Sequence, residues 1–364
     1  MRVIEAISDT NIGGAGILLV NRLSCTDLEK YKTTVLLPKG SILLSRLKEA
    51  GAECVEIDCK GDRSWSSADV PKYIKAIKEI SPDIINCHGS LTARVAAKMV
   101  GVPVKICTRH CVFPTEKKQK LFASINNFLS DAFIAVAYSA KQNLLELGVR
   151  EEKIHVIING SKELRKTTDA QRKTLRKELG IKDTSKVLIM CARLEKCKGQ
   201  GFFIRALSVL KNDGVDCVGL LVGEGNDRER LYKLCKELNV DDRVIFTGFR
   251  DDVAPFVNIA DVNVNCSVGT ETSSLALSEG MSLGVPCVVS DYGGNPYMVR
   301  HGENGLVYPA GDVDRLAKSI KFMLSKEDEY KKMSDASLTR FKSELNCASM
   351  TEKTNRLYDM LCKQ

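Results

Sequence analysis

Two glutamates, Glu271 and Glu279, are separated by seven residues in a segment that reads as a polar loop entering a helix. A hydroxyl of Ser273 or Ser274 is placed to cap that helix, so its first N–H groups and partial positive charge would face an anion such as a diphosphate. Glu279 lies nearly two turns inside the helix, roughly 9 Å along the axis at about 1.5 Å per residue. One elongated ligand would then contact both carboxylates, although a surface helix carrying two glutamates has the same pattern.

A second group of candidate ligand-binding residues is cationic. Arg193 and Lys198 flank a loop between a short apolar strand and a helix. Two cations, together with free amides at a helix terminus, suit a diphosphate better than a monoanion. A solvated basic loop is the alternative reading.

Two histidines in the first half, His88 and His110, end or follow apolar strands. Because ligands of an open parallel sheet bind beyond the carboxyl ends of its strands, both are candidates for a binding site. The alternative is that they satisfy local backbone groups. His155, within an apolar strand, and His301, in a polar turn, are expected to be structural.

Glycine-rich turns follow several strands. The pair Gly13 and Gly14 opens a helix after the first strand, which lets the backbone approach a phosphate or sugar closely. The full G-x-G-x-x-G spacing is missing, which disfavours dinucleotide binding. Later strands end in Gly223-Glu224-Gly225 and in Gly293-Gly294.

These residues would be positioned by short apolar strands that alternate with amphipathic helices, the pattern of doubly wound α/β sheets. The first half predicts strands near residues 2–7, 33–37, 53–57, 83–87, 103–107, 132–136 and 153–158. The second half predicts them near 186–191, 216–222, 243–247, 261–265, 285–290 and 305–308. Two Rossmann-like domains follow, with the polar stretch 159–168 as linker and a wholly helical pattern after residue 312.

Composition excludes several classes of protein. The 364 residues, 44% of them hydrophobic, are enough for two domains. No apolar run approaches the roughly 18 residues of a membrane span, and the chain opens on a strand pattern rather than a signal peptide, so we expect a cytoplasmic protein. The 14 cysteines are scattered without paired metal-type spacing, which predicts reduced thiols and no structural zinc.

Charge is concentrated in the first half, where residues 1–162 contain 23 Lys and Arg against 17 Asp and Glu. A cluster that includes Lys117, Lys118 and Lys120 precedes an apolar segment. A solvated basic face is the ordinary interpretation, and peripheral contact with an anionic membrane is the second. Nucleic acid is disfavoured because no aromatic-interleaved basic motif accompanies the charge.

In order and spacing, these motifs resemble one family over nearly the whole chain: the retaining nucleotide-sugar glycosyltransferases of family 4, which have the GT-B fold. The motifs that carry the resemblance are Gly13-Gly14, His110, Arg193-x4-Lys198-Gly199, Gly223-Glu224-Gly225, Glu271-x7-Glu279 and Gly293-Gly294-Asn295-Pro296.

The resemblance implies an α/β protein with two Rossmann-like domains facing each other across a cleft. Residues 1–164 would form the N-terminal, acceptor-side domain, with a C-terminal helix over 348–364 packing back on it. Residues 165–347 would form the C-terminal, nucleotide-sugar-binding domain. The implied reaction moves a hexosyl unit from a UDP- or GDP-sugar to a saccharide or lipid-linked acceptor, with retention, in cell-surface polysaccharide or glycolipid synthesis. The implied reaction scheme requires no metal, so none is expected.

The family also implies residue roles. His110 and Glu271 would be catalytic, with His110 reaching the sugar and Glu271 fixing its hydroxyls. Donor binding would fall to Gly13, Gly14, Arg193, Lys198, Gly223, Glu224, Arg250, Thr272, Ser273, Ser274, Leu275 and Glu279. Within that set, Glu279 would bind the ribose and Arg250 would lie beside the base.

Three positions depart from the family pattern. Thr272-Ser273-Ser274 replaces a Gly-aromatic-Gly sequence, which puts the identity of the sugar in doubt. Lys162 replaces an acidic residue, and Tyr297 replaces a glutamate, which puts part of the acceptor or sugar contact in doubt. A nucleotide-sugar 2-epimerase on the same fold and a noncatalytic nucleotide-sugar-binding protein are the competing functions; the first would need no acceptor, and the second would show no turnover.

Overall fold

A computed structural model describes residues 1–11, 13–112 and 123–363. The chain divides into two compact units: unit 1 is Met1–Ser161 with Glu344–Gln364, and unit 2 is Lys162–Ser343. The chain therefore leaves unit 1 inside the polar stretch 159–168 and returns to it four residues before position 348. The Lys117, Lys118 and Lys120 cluster lies outside the described residues.

Unit 1 contains a parallel sheet. Its strands are β1 (Arg2–Ile7), β2 (Lys32–Pro38), β3 (Glu53–Ile57), β4 (Ile84–His88), β5 (Val104–Arg109), β6 (Ala132–Ala135) and β7 (Ile154–Val156). Its helices within the described residues are α1 (Gly14–Leu23), α2 (Leu44–Glu49), α3 (Val70–Ile80), α4 (Leu91–Val100), α5 (Ala123–Leu129) and α6 (Tyr138–Glu146). The strand order is β3-β2-β1-β4-β5-β6-β7.

Most residues in the strands of unit 1 are apolar, because both faces of a doubly wound parallel sheet are covered. Val35, Leu36 and Leu37 of β2, for example, are all fully buried. β1 pairs with β2 on one side and with β4 on the other, so the strand order reverses between β1 and β4. Ligands of this fold bind beyond the carboxyl ends of the strands at such a reversal.

Unit 2 contains the second parallel sheet. Its strands are β8 (Lys186–Cys191), β9 (Cys217–Val222), β10 (Val244–Gly248), β11 (Val262–Asn265), β12 (Cys287–Ser290) and β13 (Gly305–Tyr308), in the order β10-β9-β8-β11-β12-β13. Its helices are α7 (Asp169–Glu178), α8 (Gln200–Asn212), α9 (Arg228–Glu237), α10 (Ala254–Asn258), α11 (Leu275–Ser282), α12 (Asn295–Met298), α13 (Val313–Ser325) and α14 (Glu327–Arg340). Here the order reverses between β8 and β11.

The last helix, α15 (Cys347–Leu361), belongs to unit 1. It begins after Asn346, whose side chain accepts a hydrogen bond from the Ser349 N–H and so caps the helix. The chain segments that leave and re-enter unit 1 are joined by backbone hydrogen bonds, from Ser161 N to Leu345 O at 3.0 Å and from Cys347 N to Ser161 O at 2.8 Å. This arrangement attaches α15 to the same unit as α1, against which it packs.

Across the described residues, none of the helices combines the length and the apolar composition that crossing a membrane demands. All 14 cysteines are free thiols.

Candidate functional site

A buried carboxylate lies on β1 beside the reversal point of unit 1. Glu5 is fully buried, and its partners come from three elements distant in sequence. The Arg22 guanidinium of α1 forms an ion pair with it, the Tyr358 hydroxyl of α15 donates to Oε1 at 2.8 Å, and Nε2 of His88 lies 2.7 Å from Oε2. A carboxylate oxygen only accepts hydrogen bonds, so His88 Nε2 is the donor.

Burial raises the pKa of Glu5, but the Arg22 charge and the hydrogen bonds from His88 and Tyr358 outweigh it, and the net shift is downward. Glu5 is therefore a carboxylate at neutral pH. Burial raises the pKa of Tyr358, so its phenol keeps the proton that it donates.

His88 connects this carboxylate to His110. His88 is the last residue of β4, and its Nδ1 lies 2.8 Å from Nε2 of His110, which follows β5. Burial, with a smaller effect from His88, lowers the pKa of His110 well below its ordinary value. His110 is thus a neutral imidazole at neutral pH. The two histidines that the sequence left undecided belong to one hydrogen-bonded chain that starts at Glu5.

The Gly13 and Gly14 turn lies at the start of α1, where Gly13 occupies the N-cap position. A Cβ built on either glycine meets no described atom within 4 Å. Crowding by neighbouring residues therefore does not require glycine here. The open space leaves the first N–H groups of α1 accessible to an anion.

Unit 2 has its own carboxylate cluster beyond β11. Oε2 of Glu271 accepts hydrogen bonds from Ser267 Oγ at 2.8 Å and Asn265 Nδ2 at 3.2 Å, and Lys198 Nζ lies 3.1 Å away. Lys198 also donates to the Thr270 carbonyl at 2.9 Å. Glu271 and Lys198, which sequence reasoning proposed separately, thus form an ion pair.

Arg193 is held differently from Lys198. Its side chain is 68% exposed and pairs with Glu195 at 2.8 Å, whereas the Lys198 side chain is 15% exposed. The loop that carries both ends at Gly199, whose φ of +77° and close approach to the Cys266 carbonyl leave no room for a side chain. The loop is therefore fixed against the end of β11, and the Arg193 side chain projects from it towards solvent.

The start of α11 packs against the Gly293-Gly294 turn. A Cβ on Gly294 would overlap the carbonyl oxygen of Thr272, so backbone lies directly on backbone here. Ser274, rather than Ser273, caps α11 by accepting from the Leu277 N–H at 3.4 Å. Leu275 is the first residue of the helix, so residues 272–275 form the loop and first turn that the sequence predicted.

Glu279 differs from the other carboxylates. It lies within α11 and is partly exposed, and no described residue donates a hydrogen bond to its carboxylate. Burial raises its pKa to about 7. A partly desolvated carboxyl group without donors among the described residues is suited to accept ligand hydroxyls.

The remaining donor-binding candidates lie at the tips of β9 and β10. Gly223 follows β9, and Glu224 is paired with Arg228 at 3.0 Å. Arg250 follows β10, with its guanidinium 5.4 Å from the centre of the Phe256 ring. Each of these residues lies within unit 2, which also contains the Lys198 and Glu271 pair.

Sequence reasoning missed Glu5, Arg22 and Tyr358. The available signal was Glu5 itself, a charged residue between the apolar residues 3–4 and 6–7 of β1. The two histidines expected to be structural have no part in either cluster: His155 lies in β7, and His301 Nδ1 lies 3.0 Å from the Val307 amide. Among the described ranges, no group of three or more His, Cys, Asp or Glu side chains is arranged to hold a metal ion.

Comparison with known proteins identifies the family. Residues 171–340 match the glycosyl transferases group 1 model, and residues 12–161 match the glycosyltransferase family 4 model. The chain is 30% identical over 264 residues to N-acetyl-alpha-D-glucosaminyl L-malate synthase of Bacillus anthracis, covering 70% of this chain and 68% of that protein. It is 30% identical over 262 residues to the UDP-Gal:alpha-D-GlcNAc-diphosphoundecaprenol alpha-1,3-galactosyltransferase of Escherichia coli, covering 68% and 67%.

Solved structures agree on the fold. Anabaena Alr3699/HepE in complex with UDP superimposes with a TM-score of 0.86 at 20% identity, over 99% of this chain and 100% of that chain. A glycosyltransferase from Rickettsia africae superimposes with a TM-score of 0.87 at 19% identity, over 100% and 99%. The fold is GT-B, with two Rossmann-like parallel sheets. The chain belongs to the group 1, family 4 glycosyltransferases and is an enzyme of glycosyl transfer.

Proposed function

We propose that the enzyme transfers a hexosyl unit from a UDP-sugar, with a GDP-sugar as the alternative donor, to an acceptor hydroxyl with retention of configuration. The observation that carries the proposal is the Lys198 and Glu271 pair beside the capped start of α11, with the exposed Arg193 on the same loop as Lys198. Cations and helix amides at one place bind a diphosphate, and a carboxylate beside them accepts sugar hydroxyls.

In this proposal, negative charge grows on the departing diphosphate as the glycosidic bond breaks. Arg193, Lys198 and the first amides of α11 stabilise that charge more in the transition state than in the ground state, which accelerates the reaction. The 3.1 Å ion pair with Glu271 holds the Lys198 ammonium in place before the donor arrives.

The other roles follow the family resemblance. Glu271 fixes hydroxyls of the donor sugar and is not a nucleophile. Glu279 accepts the ribose hydroxyls, since its carboxylate has no donor among the described residues. His110 contacts the sugar, and the Gly13 and Gly14 amides contact the phosphates. Gly223, Glu224, Arg250 and residues 272–275 complete the donor site, and no metal takes part.

UDP is favoured over GDP by the relatives. The Escherichia coli relative is named for a UDP-galactose donor and a lipid-linked acceptor, and Alr3699/HepE was crystallised with UDP and with UDP-glucose. By analogy we place this enzyme in polysaccharide or glycolipid synthesis, in the cytoplasm and in peripheral contact with an anionic membrane. The acceptor is a saccharide or a lipid-linked saccharide.

A panel of nucleotide sugars tests the proposal. A ligand that binds only the folded protein raises its melting temperature, so UDP and one or more UDP-hexoses should raise it and the GDP series should not. The stabilising donor is then incubated with saccharide and undecaprenyl-diphosphate-linked acceptors, and the anomeric configuration of the product is determined by NMR. An inverted product contradicts retention. A changed nucleotide sugar formed without acceptor indicates an epimerase, and stabilisation without turnover indicates a binding protein.

A further inference from the structure

The Gly293-Gly294-Asn295-Pro296 motif brings a buried amide to the carboxyl ends of β11 and β12. Gly293 has a φ of +63°, and a Cβ on it would lie 2.1 Å from the carbonyl oxygen of Glu271, which excludes a side chain at this position. Asn295 follows the turn as the first residue of α12 and is fully buried. A chain of hydrogen bonds that passes through Asn265 connects Asn295 to the Glu271 carboxylate.

The orientation of the Asn265 amide is determined by a backbone group. The Ser267 backbone N–H can only donate, and it lies 3.0 Å from Oδ1 of Asn265. The other atom of that amide, which lies 3.2 Å from Glu271 Oε2, is therefore the Nδ2 donor. Asn295 Nδ2 donates to the same Oδ1 at 3.3 Å and to Ser290 Oγ at 3.1 Å. Ser290 Oγ donates its own proton to the Ser267 carbonyl at 2.7 Å, so it accepts from Asn295.

The two carboxylate oxygens of Glu271 have different surroundings. Oε2 accepts from Asn265 Nδ2 and from Ser267 Oγ at 2.8 Å, and the Lys198 ammonium lies 3.1 Å from it. No group in the described part of the chain forms a hydrogen bond to Oε1. The protein thus holds this carboxylate by one oxygen and leaves the other available to a ligand.

Asn295 acts on Glu271 through the orientation of Asn265. A half-turn of the Asn265 amide would set its Nδ2 against the Asn295 amino group and its Oδ1 against the Glu271 carboxylate. A donor would then face a donor and an acceptor would face an acceptor, and all three side chains are buried. Asn295 therefore restricts Asn265 to the orientation that donates to Glu271.

We propose that Asn265 and Asn295 form an amide relay, a pair of positioning residues that keeps Oε2 of Glu271 engaged and so directs Oε1 towards a hydroxyl group of the donor sugar. The sugar contact of Glu271 rests on the proposed function. In that function Lys198 binds the diphosphate, so the donor competes with Glu271 for its ammonium. The neutral donors of Asn265 and Ser267 stay on Oε2 during this exchange and keep the carboxylate oriented.

A double-mutant cycle on ligand affinity tests the amide relay. The probe is UDP-glucose or UDP-galactose, whichever binds the wild type more tightly in calorimetry. We expect Asn295→Ala to weaken its binding by roughly three- to tenfold, the effect of losing one hydrogen bond. Affinity for UDP, which has no sugar, should stay the same. In a Glu271→Ala background, Asn295→Ala should change the affinity for the same probe by less than about twofold, because no carboxylate is left to orient.

Asn263→Ala is the matched control. Asn263 is a buried amide of the same strand, β11; its Nδ2 donates to the Ala276 carbonyl at 2.8 Å, and it has no hydrogen bond to Glu271. This variant should keep the wild-type ratio of the UDP-hexose and UDP affinities. An equal loss for Asn295→Ala with and without Glu271, or no loss at all, would overturn the amide relay. If Asn295→Ala does not fold, Asn265→Ala takes its place with the same expected outcomes.

The single Glu271→Ala variant separates failure of the relay from failure of the proposed function. Wild-type affinity for the UDP-hexose in this variant would refute the sugar contact of Glu271, and the relay with it. Weaker binding in Glu271→Ala, combined with wild-type binding in Asn295→Ala, would refute the relay alone. A crystal structure of the wild-type enzyme with the UDP-hexose gives an answer that needs no variant. A sugar hydroxyl on Oε1 with Asn265 still on Oε2 is the expected result, and an Asn265 amide turned away from Oε2 would contradict the relay.

Discussion

The carboxylates of the two units differ in how fully protein side chains supply their hydrogen-bond and ion-pair partners. In unit 1, Glu5 is fully buried and all of its partners belong to the protein, with Arg22 cancelling its charge. In unit 2, the Lys198 and Glu271 side chains pair with each other and are only 15% and 9% exposed, whereas Glu279 has no donor in the described part of the chain. A buried charge whose partners all belong to the protein stabilises the structure. A carboxylate without a protein donor can instead accept hydrogen bonds from a ligand.

The largest expected effect is on stability and belongs to unit 1. Glu5→Ala leaves the Arg22 guanidinium buried without its partner, which should lower the free energy of unfolding by about 3–5 kcal/mol. Urea unfolding at pH 7 measures it. The exposed Glu49→Ala serves as control and should change stability by less than about 0.5 kcal/mol.

Replacing both charged residues sharpens this result. Glu5→Met combined with Arg22→Met removes the pair without leaving a bare charge, so the double variant should be more stable than Glu5→Ala. A double variant that is less stable than Glu5→Ala would show that the hydrogen bonds of His88 and Tyr358, rather than charge balance, dominate the cluster.

The next effect is on catalysis and belongs to unit 2. Arg193→Ala and Lys198→Ala should each lower turnover roughly tenfold to a thousandfold, the equivalent of about 1.4–4 kcal/mol of transition-state stabilisation. Lys196→Ala is the matched control, because this exposed cation lies in the same loop. Equal losses in all three variants would indicate a general electrostatic effect rather than a diphosphate site.

The raised pKa of Glu279 should make both the stability of the protein and its donor affinity depend on pH. Its pKa is raised from 4.5 to about 7, so the folded form binds the proton more tightly than the unfolded form. The contribution of this tighter proton binding to the free energy of unfolding is fully present below pH 4.5. It is lost as the pH rises through 7. For a partly exposed group we expect the loss to be about 2–3 kcal/mol.

Glu279→Gln removes this titration. The variant should lose less stability than the wild type between pH 5 and pH 8, as measured by urea unfolding at each pH. Donor affinity of the wild type should rise as the pH passes 7, because the carboxylate is the better acceptor, and affinity of the variant should be low and independent of pH. A wild-type stability profile that parallels the variant would refute the raised pKa.

The smallest expected effect compares two helix caps. Ser274 caps α11 in unit 2, and Ser90 caps α4 in unit 1 by accepting from the Ala93 N–H. Substitution of either by Ala should lower stability by about 1 kcal/mol. Only Ser274→Ala should also weaken donor binding in calorimetry, since its helix is the proposed phosphate site. Equal donor affinity in both variants would contradict that site.

Strand positions could be predicted from the sequence because they depend on local pattern. All thirteen strands of the described residues begin and end within two residues of their predicted limits. The loop at residues 272–275 and the Arg193 and Lys198 loop were also visible, since turn residues directly follow apolar strands. The local sequence likewise predicted that Ser273 or Ser274 caps α11, and Ser274 is the cap in the structure.

The Glu5 cluster could not be predicted in the same way. Its members come from β1, α1, β4 and α15, and Glu5 and Tyr358 are 353 positions apart. Periodicity relates neighbours along one element and carries no information on which distant side chain will meet a buried carboxylate. For that reason His88 could be placed at a strand end but not assigned a partner.

Attachment of α15 to unit 1 has a consequence for biosynthesis. The ribosome makes Glu5 early and must add the whole of unit 2 before Tyr358 is available, which takes roughly 20–70 s at about 5–20 residues per second. During that interval the nascent first unit lacks the phenol that bonds to Glu5 and the apolar face of Met350 and Leu357. Unit 2 is continuous in sequence and can complete its fold first. A chain stalled or cleaved after residue 343 therefore releases a finished second unit and an unfinished first one.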